Sequence, residues 1–411
     1  MATMTSIHLA GFSFQAWVAL AAAALAACAA ELAVRALRAK RSGIRNRASQ
    51  ALRDRFVAWR NNPAFGRTDI QHNAQGFRRS TGVAIRKPPQ TTRIFFLGGS
   101  AAYGAPGAFP HIDSSYSRIY NHQLIDACLE KMLNAEFPSV RTEVINAAAS
   151  GYRIHQQLAL IQSRIRRYRP DHVILMDGYN DVIQLYNIAR DLPHAEFDVY
   201  ENTPGQEEFD ALANPGSVRS LFVFANAWLR ARSALCRVAQ DRVSGMVRDP
   251  WQRRKPAVRG ERPETVQLGD LTGEERLVAA AALEHLGYYA QTARQIHRVL
   301  DLDGIRPVFL LQPILILSRK RLTPAEQKLV EYEWSMGGPL YFYLFREVYR
   351  EIDRTMNEAA RKDGLIFVNL TDVFDSTLEQ TFSDFAHLTP AGNRVIAEKL
   401  YRDLRQATRG S

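Results

Sequence analysis

Five runs of the chain are apolar almost without interruption: RIFFLG (93–98), TEVINAA (142–148), HVILMD (172–177), RPVFLLQP (306–313) and LIFVNL (365–370). A strand with one wet face alternates apolar and polar residues, so runs without alternation suit strands covered on both faces, as in a parallel sheet between helices. Helical periodicity fills the intervals, over residues 116–134, 153–168, 277–302, 341–362 and 390–406. Strand and helix alternate throughout, which predicts a doubly wound α/β domain with right-handed crossovers. Ligands of such sheets bind beyond the carboxyl ends of the strands. The residues that follow each run are therefore where chemistry is expected.

The first run ends in Gly98-Gly99 and then offers Ser100; the second leads into AAASGY with Gly151; the third leads into DGYND with Asn180. A serine hydroxyl is a weak nucleophile until a base takes its proton and donors hold the oxyanion that forms. Gly151 can present a backbone N–H and Asn180 a side-chain amide. The base should be a histidine fixed in one tautomer by a carboxylate, and SDFAHLTPAGN places Asp384 three residues before His387, ahead of a helix opened by Pro390. Asp177 and Asp181, on either side of Asn180, are expected to cap or hydrogen-bond the loop.

These four blocks, FLGGSAAYG, NAAASGY, DGYND and DFAHLTPAGN, stand in the order of the SGNH, or GDSL-type, hydrolases, which this chain resembles over residues ~72–182 and ~300–405. The resemblance implies a flavodoxin-like doubly wound parallel sheet of about five strands. It also implies Ser100 as nucleophile, His387 as base, Asp384 as its orienter, and an oxyanion hole made by the Ser100 N–H, the Gly151 N–H and the Asn180 side chain. The implied activity is hydrolysis of an ester of a small molecule, lipid or glycan through an acyl-enzyme, with no cofactor and no metal. In one place the chain departs from the pattern: the family's Gly-Asp-Ser is Gly98-Gly99-Ser100 here. The missing aspartate has none of the chemical roles, but the support of the serine turn is expected to differ.

The upstream NAQGFRRS (73–80) and an uncharged apolar stretch at residues 9–30 resemble the membrane-attached bacterial subgroup. As a helix that stretch would be about 33 Å long, enough to cross a bilayer core. A retained anchor over residues 1–34 is the expectation, since MATMTSIH lacks the positive start of a secretory signal; LAAC at 25–28 also fits a lipidation box at Cys28. Residues 35–91 read as a basic juxtamembrane segment and linker, in which 47–66 reads as a short helix with a linker. Residues 92–411 read as the catalytic domain, interrupted by insertions at 182–276 and 314–340 that are either surface loops or a lid over the substrate. The arginines that follow the anchor predict a cytoplasmic domain, whereas a role on envelope glycans favours the other side.

The formal charge of +11 does not mark a nucleic-acid partner. It lies in two segments, +7 within 31–60 and +4 within 248–262, and the rest of the chain is neutral. Cys28, Cys128 and Cys236 are too few and too scattered for a disulfide framework or a zinc site. Three other readings compete. An O-acyltransferase would use the same triad with a sugar hydroxyl in place of water, a binding protein could keep the fold without activity, and the α/β-hydrolase fold shares the order Ser, Asp, His. That last fold places its nucleophile after a central strand and its acid far from the histidine. Oligomeric state has no signature here.

Overall fold

The computed structural model describes residues 50–67, 70–109, 113–190 and 263–409, with scattered helical positions between 18 and 32. The chain divides into two compact units. One is Met1–Arg47 with Asn202–Arg254, and the other is Ala48–Glu201 with Lys255–Ser411. The apolar stretch at 9–30 lies outside the described residues apart from a few helical positions, and most of the 182–276 insertion lies outside them altogether. Among the described residues no helix is long and apolar enough to cross a membrane.

The second unit is built on a five-stranded parallel sheet of β5 (Thr91–Gly98), β6 (Arg141–Asn146), β7 (His172–Asp177), β8 (Pro307–Leu311) and β9 (Ile366–Asn369), in the order β6-β5-β7-β8-β9. Each of the five apolar runs supplies one strand, and Phe95, Phe96, Leu97, Ile145, Val173, Met176 and Leu311 are buried. The charge that opens the first run, Arg93, is also buried, donating to Glu143 at 2.9 Å and to the Tyr168 carbonyl at 2.8 Å.

Among the described residues the α-helices of this unit are α1 (Ser100–Tyr103), α2 (Ile125–Glu136), α3 (Ile154–Ser163), α4 (Tyr179–Arg190), α5 (Gly273–Glu284), α6 (Gly287–Asp301), α7 (Pro324–Asp363) and α8 (Pro390–Arg409). The chain steps outward from β5 to β6, then reverses and steps through β7, β8 and β9. With right-handed crossovers the reversal puts α2 on one face and α3, α6 and α7 on the other. The helix contacts agree: α2 packs with α8, while α6 packs with both α3 and α7. The order reverses between β5 and β7, so the ends of those two strands frame the crevice where such folds bind ligands.

Four expectations are corrected. The expected helix is absent from its described part, residues 50–66: β1 (Ala51–Asp54) pairs antiparallel with β2 (Ala58–Asn61), and a second short hairpin joins β3 (Gly66–Arg67) to β4 (Ile70–Gln71). The tight turn at β2 holds Ala58 at φ 66°, a conformation that no helical pattern accommodates. The periodic stretch 277–302 is two helices, α5 and α6. The 314–340 segment is largely the first part of α7, which Thr323 caps by accepting from the Glu326 N–H and which breaks at Gly338 (φ 68°, ψ −167°) just before Pro339. Residues 182–190, placed in an insertion from sequence, continue α4.

Candidate active site

Ser100 opens α1 directly beyond β5, with its turn closed by the Ala105 N–H on the Ser100 carbonyl at 2.9 Å. The glycine before it is a matter of space. A Cβ on Gly99 would lie 2.4 Å from Asn180 Nδ2 and 3.1 Å from the Tyr152 carbonyl, so the room that the family's aspartate would need is taken by the Asn180 amide. That amide donates to the Tyr152 carbonyl at 2.9 Å. The turn at Ser100, the loop after β6 and the start of α4 thus meet at one point. The NAQGFRRS segment supports this turn from behind: the Arg78 guanidinium lies 4.5 Å from the ring centre of Tyr103, the last residue of α1, and donates to the Ile119 carbonyl.

The loop after β6 continues the ladder, with the Ala147 N–H on the Phe96 carbonyl and the Ala149 N–H on the Gly98 carbonyl. It then turns at Gly151, whose φ of 81° favours glycine.

Near the C-terminus, Asp384 is fully buried and its carboxylate gathers four donors. Oδ1 accepts the backbone N–H groups of Ala386 at 2.8 Å and His387 at 2.7 Å; Oδ2 accepts the Ala108 N–H at 2.7 Å and faces His387 Nδ1 at 2.6 Å. Burial alone would raise this carboxyl, but the charge and hydrogen bond of His387 and the backbone donors hold it below the ordinary carboxylate range. The Ala108 contact ties the chain leaving α1 to the histidine loop, and Gly107 packs so closely there that a Cβ would lie 2.5 Å from the Ser383 carbonyl.

Two residues that carry no signal in the sequence hold this loop. Gln312, just past β8, donates to the Ala386 carbonyl at 3.0 Å. Glu326 accepts the backbone N–H groups of Thr381 at 2.9 Å and Phe382 at 3.2 Å, and is itself paired with buried Lys320 at 2.6 Å. Asp177 and Asp181 hold helices as well as the loop: Gln157 of α3 donates to Asp177, while Asp181 Oδ1 accepts from Tyr288 OH at 2.8 Å and from the Ile154 N–H at 3.4 Å, and the Gly178 N–H of the loop also donates to Asp181. Among the described residues no three His, Cys, Asp or Glu side chains gather as a metal-binding group.

The structure brings Ser100, Asn180 and the Gly151 loop together around Gly99, and pairs Asp384 with His387 on a loop bonded to the segment that follows α1. Among the described residues, buried His387 Nε2 has no hydrogen-bond partner. The N–H groups of Ser100 and Gly151 and the Ser100 hydroxyl likewise form no hydrogen bond among the described residues.

Among solved structures, similar chains include an α/β-hydrolase enzyme from the metagenome of Lake Arreo, Spain (16% identity, 75% of this chain and 93% of that one, TM-score 0.34). Others are an acetyl xylan esterase (12% identity, 76% and 98%, TM-score 0.34) and an acetylxylan esterase from Geobacillus stearothermophilus (15% identity, 76% and 93%, TM-score 0.33). No curated protein matches. The model of the GDSL-like lipase/acylhydrolase family matches residues 96–395, a span that begins within β5 and ends within α8. The chain belongs to the GDSL-like lipase/acylhydrolase family, whose members hydrolyse ester bonds.

Proposed function

We propose that the protein is a serine esterase in which Ser100 is the nucleophile, His387 the general base and Asp384 its orienter. The Ser100 N–H, the Gly151 N–H and the Asn180 amide form the oxyanion hole in this reading. The observation that carries it is the set of unsatisfied groups: a hydroxyl, two backbone donors and a buried imidazole nitrogen have no partner among the described residues, and each is what acyl transfer requires. Of these, His387 Nε2 is the buried atom: buried polar atoms are normally paired, and one left unpaired in a folded protein calls for a functional explanation.

With Nδ1–H given to Asp384, His387 carries its lone pair on Nε2. Nε2 takes the Ser100 proton as Oγ bonds to the ester carbonyl carbon, and the carbonyl oxygen becomes an oxyanion held by the three donors. Collapse breaks the bond to the alkoxide, which leaves with the proton from the imidazolium. Water then repeats the two steps on the acyl-enzyme and returns the carboxylic acid. Each oxyanion donor contributes roughly 2.7–4 kcal/mol to the transition state.

The test is labelling of the full chain with a fluorophosphonate, beside Ser100→Ala and His387→Ala. Labelling that both substitutions abolish supports the reading. Labelling that survives Ser100→Ala, or its absence from folded protein, overturns it.

A further inference from the structure

We infer that Trp59, on the hairpin that precedes the sheet, is a positioning residue for the oxyanion hole: its indole N–H fixes the peptide that carries the Gly151 donor. The inference rests on the role proposed for Gly151. Trp59 Nε1 donates to the Ser150 carbonyl at 3.0 Å. That carbonyl and the Gly151 N–H belong to one planar trans peptide, so they point in opposite directions. Anchoring the oxygen on one side aims the N–H at the other.

Such an anchor is needed because Gly151 has both hands of backbone open to it, and a peptide next to glycine flips with little steric resistance. Flipping would turn a carbonyl oxygen toward the oxyanion and withdraw the donor. The hairpin is bound to this loop along its length. Asn61 Nδ2 donates to the Ala148 carbonyl at 2.8 Å, Gln50 Nε2 to Ser150 Oγ at 3.0 Å, and Tyr152 OH to the Trp59 carbonyl. The Trp59 ring also closes the space beside the glycine, since a Cβ on Gly151 would lie 3.1 Å from Trp59 Cζ2.

The backbone that delivers the indole is itself unusual. Ala58 adopts φ 66°, and the Trp59 N–H closes a tight turn on the Val57 carbonyl at 2.8 Å, while buried Val57 is pinned by Gln156. A left-handed alanine persists where its surroundings hold it, and such outliers gather at functional sites.

The test compares Trp59→Phe, which keeps an aromatic ring and removes the donor, with Gln50→Ala, which removes a hairpin contact to the same residue without touching the peptide. Each is assayed on p-nitrophenyl acetate beside Ser100→Ala, together with its affinity for an alkylboronic acid that becomes tetrahedral on the serine. Trp59→Phe should lower kcat about tenfold or more with KM nearly unchanged, short of the 10²–10³ lost with a whole donor. Boronate affinity should fall in parallel, and Gln50→Ala should stay near wild type. If Trp59→Phe does not fold, benzothienylalanine placed at 59 alone keeps the bicyclic outline without the N–H and is read the same way. Wild-type kcat and boronate affinity in the donor-free variant, with Ser100→Ala inactive, overturn the role of Trp59 and leave the esterase reading intact. Activity that survives Ser100→Ala overturns the esterase reading itself.

Discussion

Asp384 Oδ2 lies 2.6 Å from His387 Nδ1, and the same oxygen accepts the Ala108 N–H at 2.7 Å. One atom therefore fixes the tautomer of the imidazole and joins the histidine loop to the chain that leaves Ser100. Asp384→Asn puts either an amide nitrogen against two donors or, if turned over, against the backbone N–H groups of Ala386 and His387. In a serine triad, loss of this carboxylate costs about 10⁴ in kcat, and a fall of 10³ or more is expected with p-nitrophenyl acetate. A loss under tenfold would show that His387 does not depend on Asp384 for its orientation.

The same carboxylate has a pH signature. Its pKa is held below the ordinary range in the folded chain, so the stability it contributes is complete above the unfolded value of about 3.9 and is lost as pH falls through the depressed value. The melting-temperature advantage of wild type over Asp384→Asn should be full at neutral pH and shrink below about pH 4. An advantage that stays constant to pH 2.5 would contradict this assignment.

Gly99 makes a steric prediction. Gly99→Ala and Gly99→Asp both place a Cβ where Asn180 Nδ2 now lies, 2.4 Å away, and must displace that amide from the Tyr152 carbonyl. Restoring the aspartate usual in the family is therefore expected to lower kcat by 10-fold to 10³-fold, up to the loss of a full oxyanion donor. Unchanged or raised activity in Gly99→Asp would show that Asn180 can relocate without cost.

Glu326 and Lys320 are both fully buried, and their pair sits beneath the segment that leads into Asp384. Burial would raise the Glu326 carboxyl, but the Lys320 hydrogen bond and the backbone donors lower it, so the charge is present and paired. Lys320→Met leaves a buried carboxylate with one strong partner fewer, a defect worth about 3–5 kcal/mol. That corresponds to a fall of roughly 10 °C in melting temperature for a domain of this size. Lys320→Met with Glu326→Gln should recover part of the loss, because the stranded charge is gone. Recovery of nothing would assign the loss to packing.

The sheet was legible because each strand is covered on both faces and so writes itself as an unbroken apolar run. The carboxyl ends of those strands were legible for the same reason, which is why Ser100, Gly151 and Asn180 could be read as neighbours. Trp59 could not. Its hydrogen bond to Ser150 joins residues 91 positions apart, and the left-handed Ala58 that aims it is an alanine with no turn signature. Around it, alternation of Leu52, Phe56 and Val57 with arginines mimics a helix. The kink of α7 misled in the opposite sense: Gly337-Gly338-Pro339 punctuates like a loop, yet helix continues on either side. Gln312 and Glu326 were invisible because an amide after a strand or an acid in a capping box has an ordinary local explanation, and only the fold brings them to the histidine loop.

Asp177 and Asp181 bear on how stability changes toward neutral pH. Burial raises both carboxyls, Asp181 to about 6 and Asp177 well above its usual value, and repulsion from Asp181 adds to the rise of Asp177. Between the unfolded value near 3.9 and the folded one, the native state binds more protons than the unfolded chain, so stability falls as pH rises through that window. Asp181→Asn removes the charge while its carbonyl oxygen can still accept from Tyr288 OH and the Ile154 N–H. It should therefore flatten the melting-temperature profile between pH 4 and about 6 and raise the melting temperature at pH 8 by a few degrees. A lower melting temperature at pH 8, with the wild-type slope retained between pH 4 and about 6, would show that Asp181 is ionised in the native protein and stabilised by Arg153.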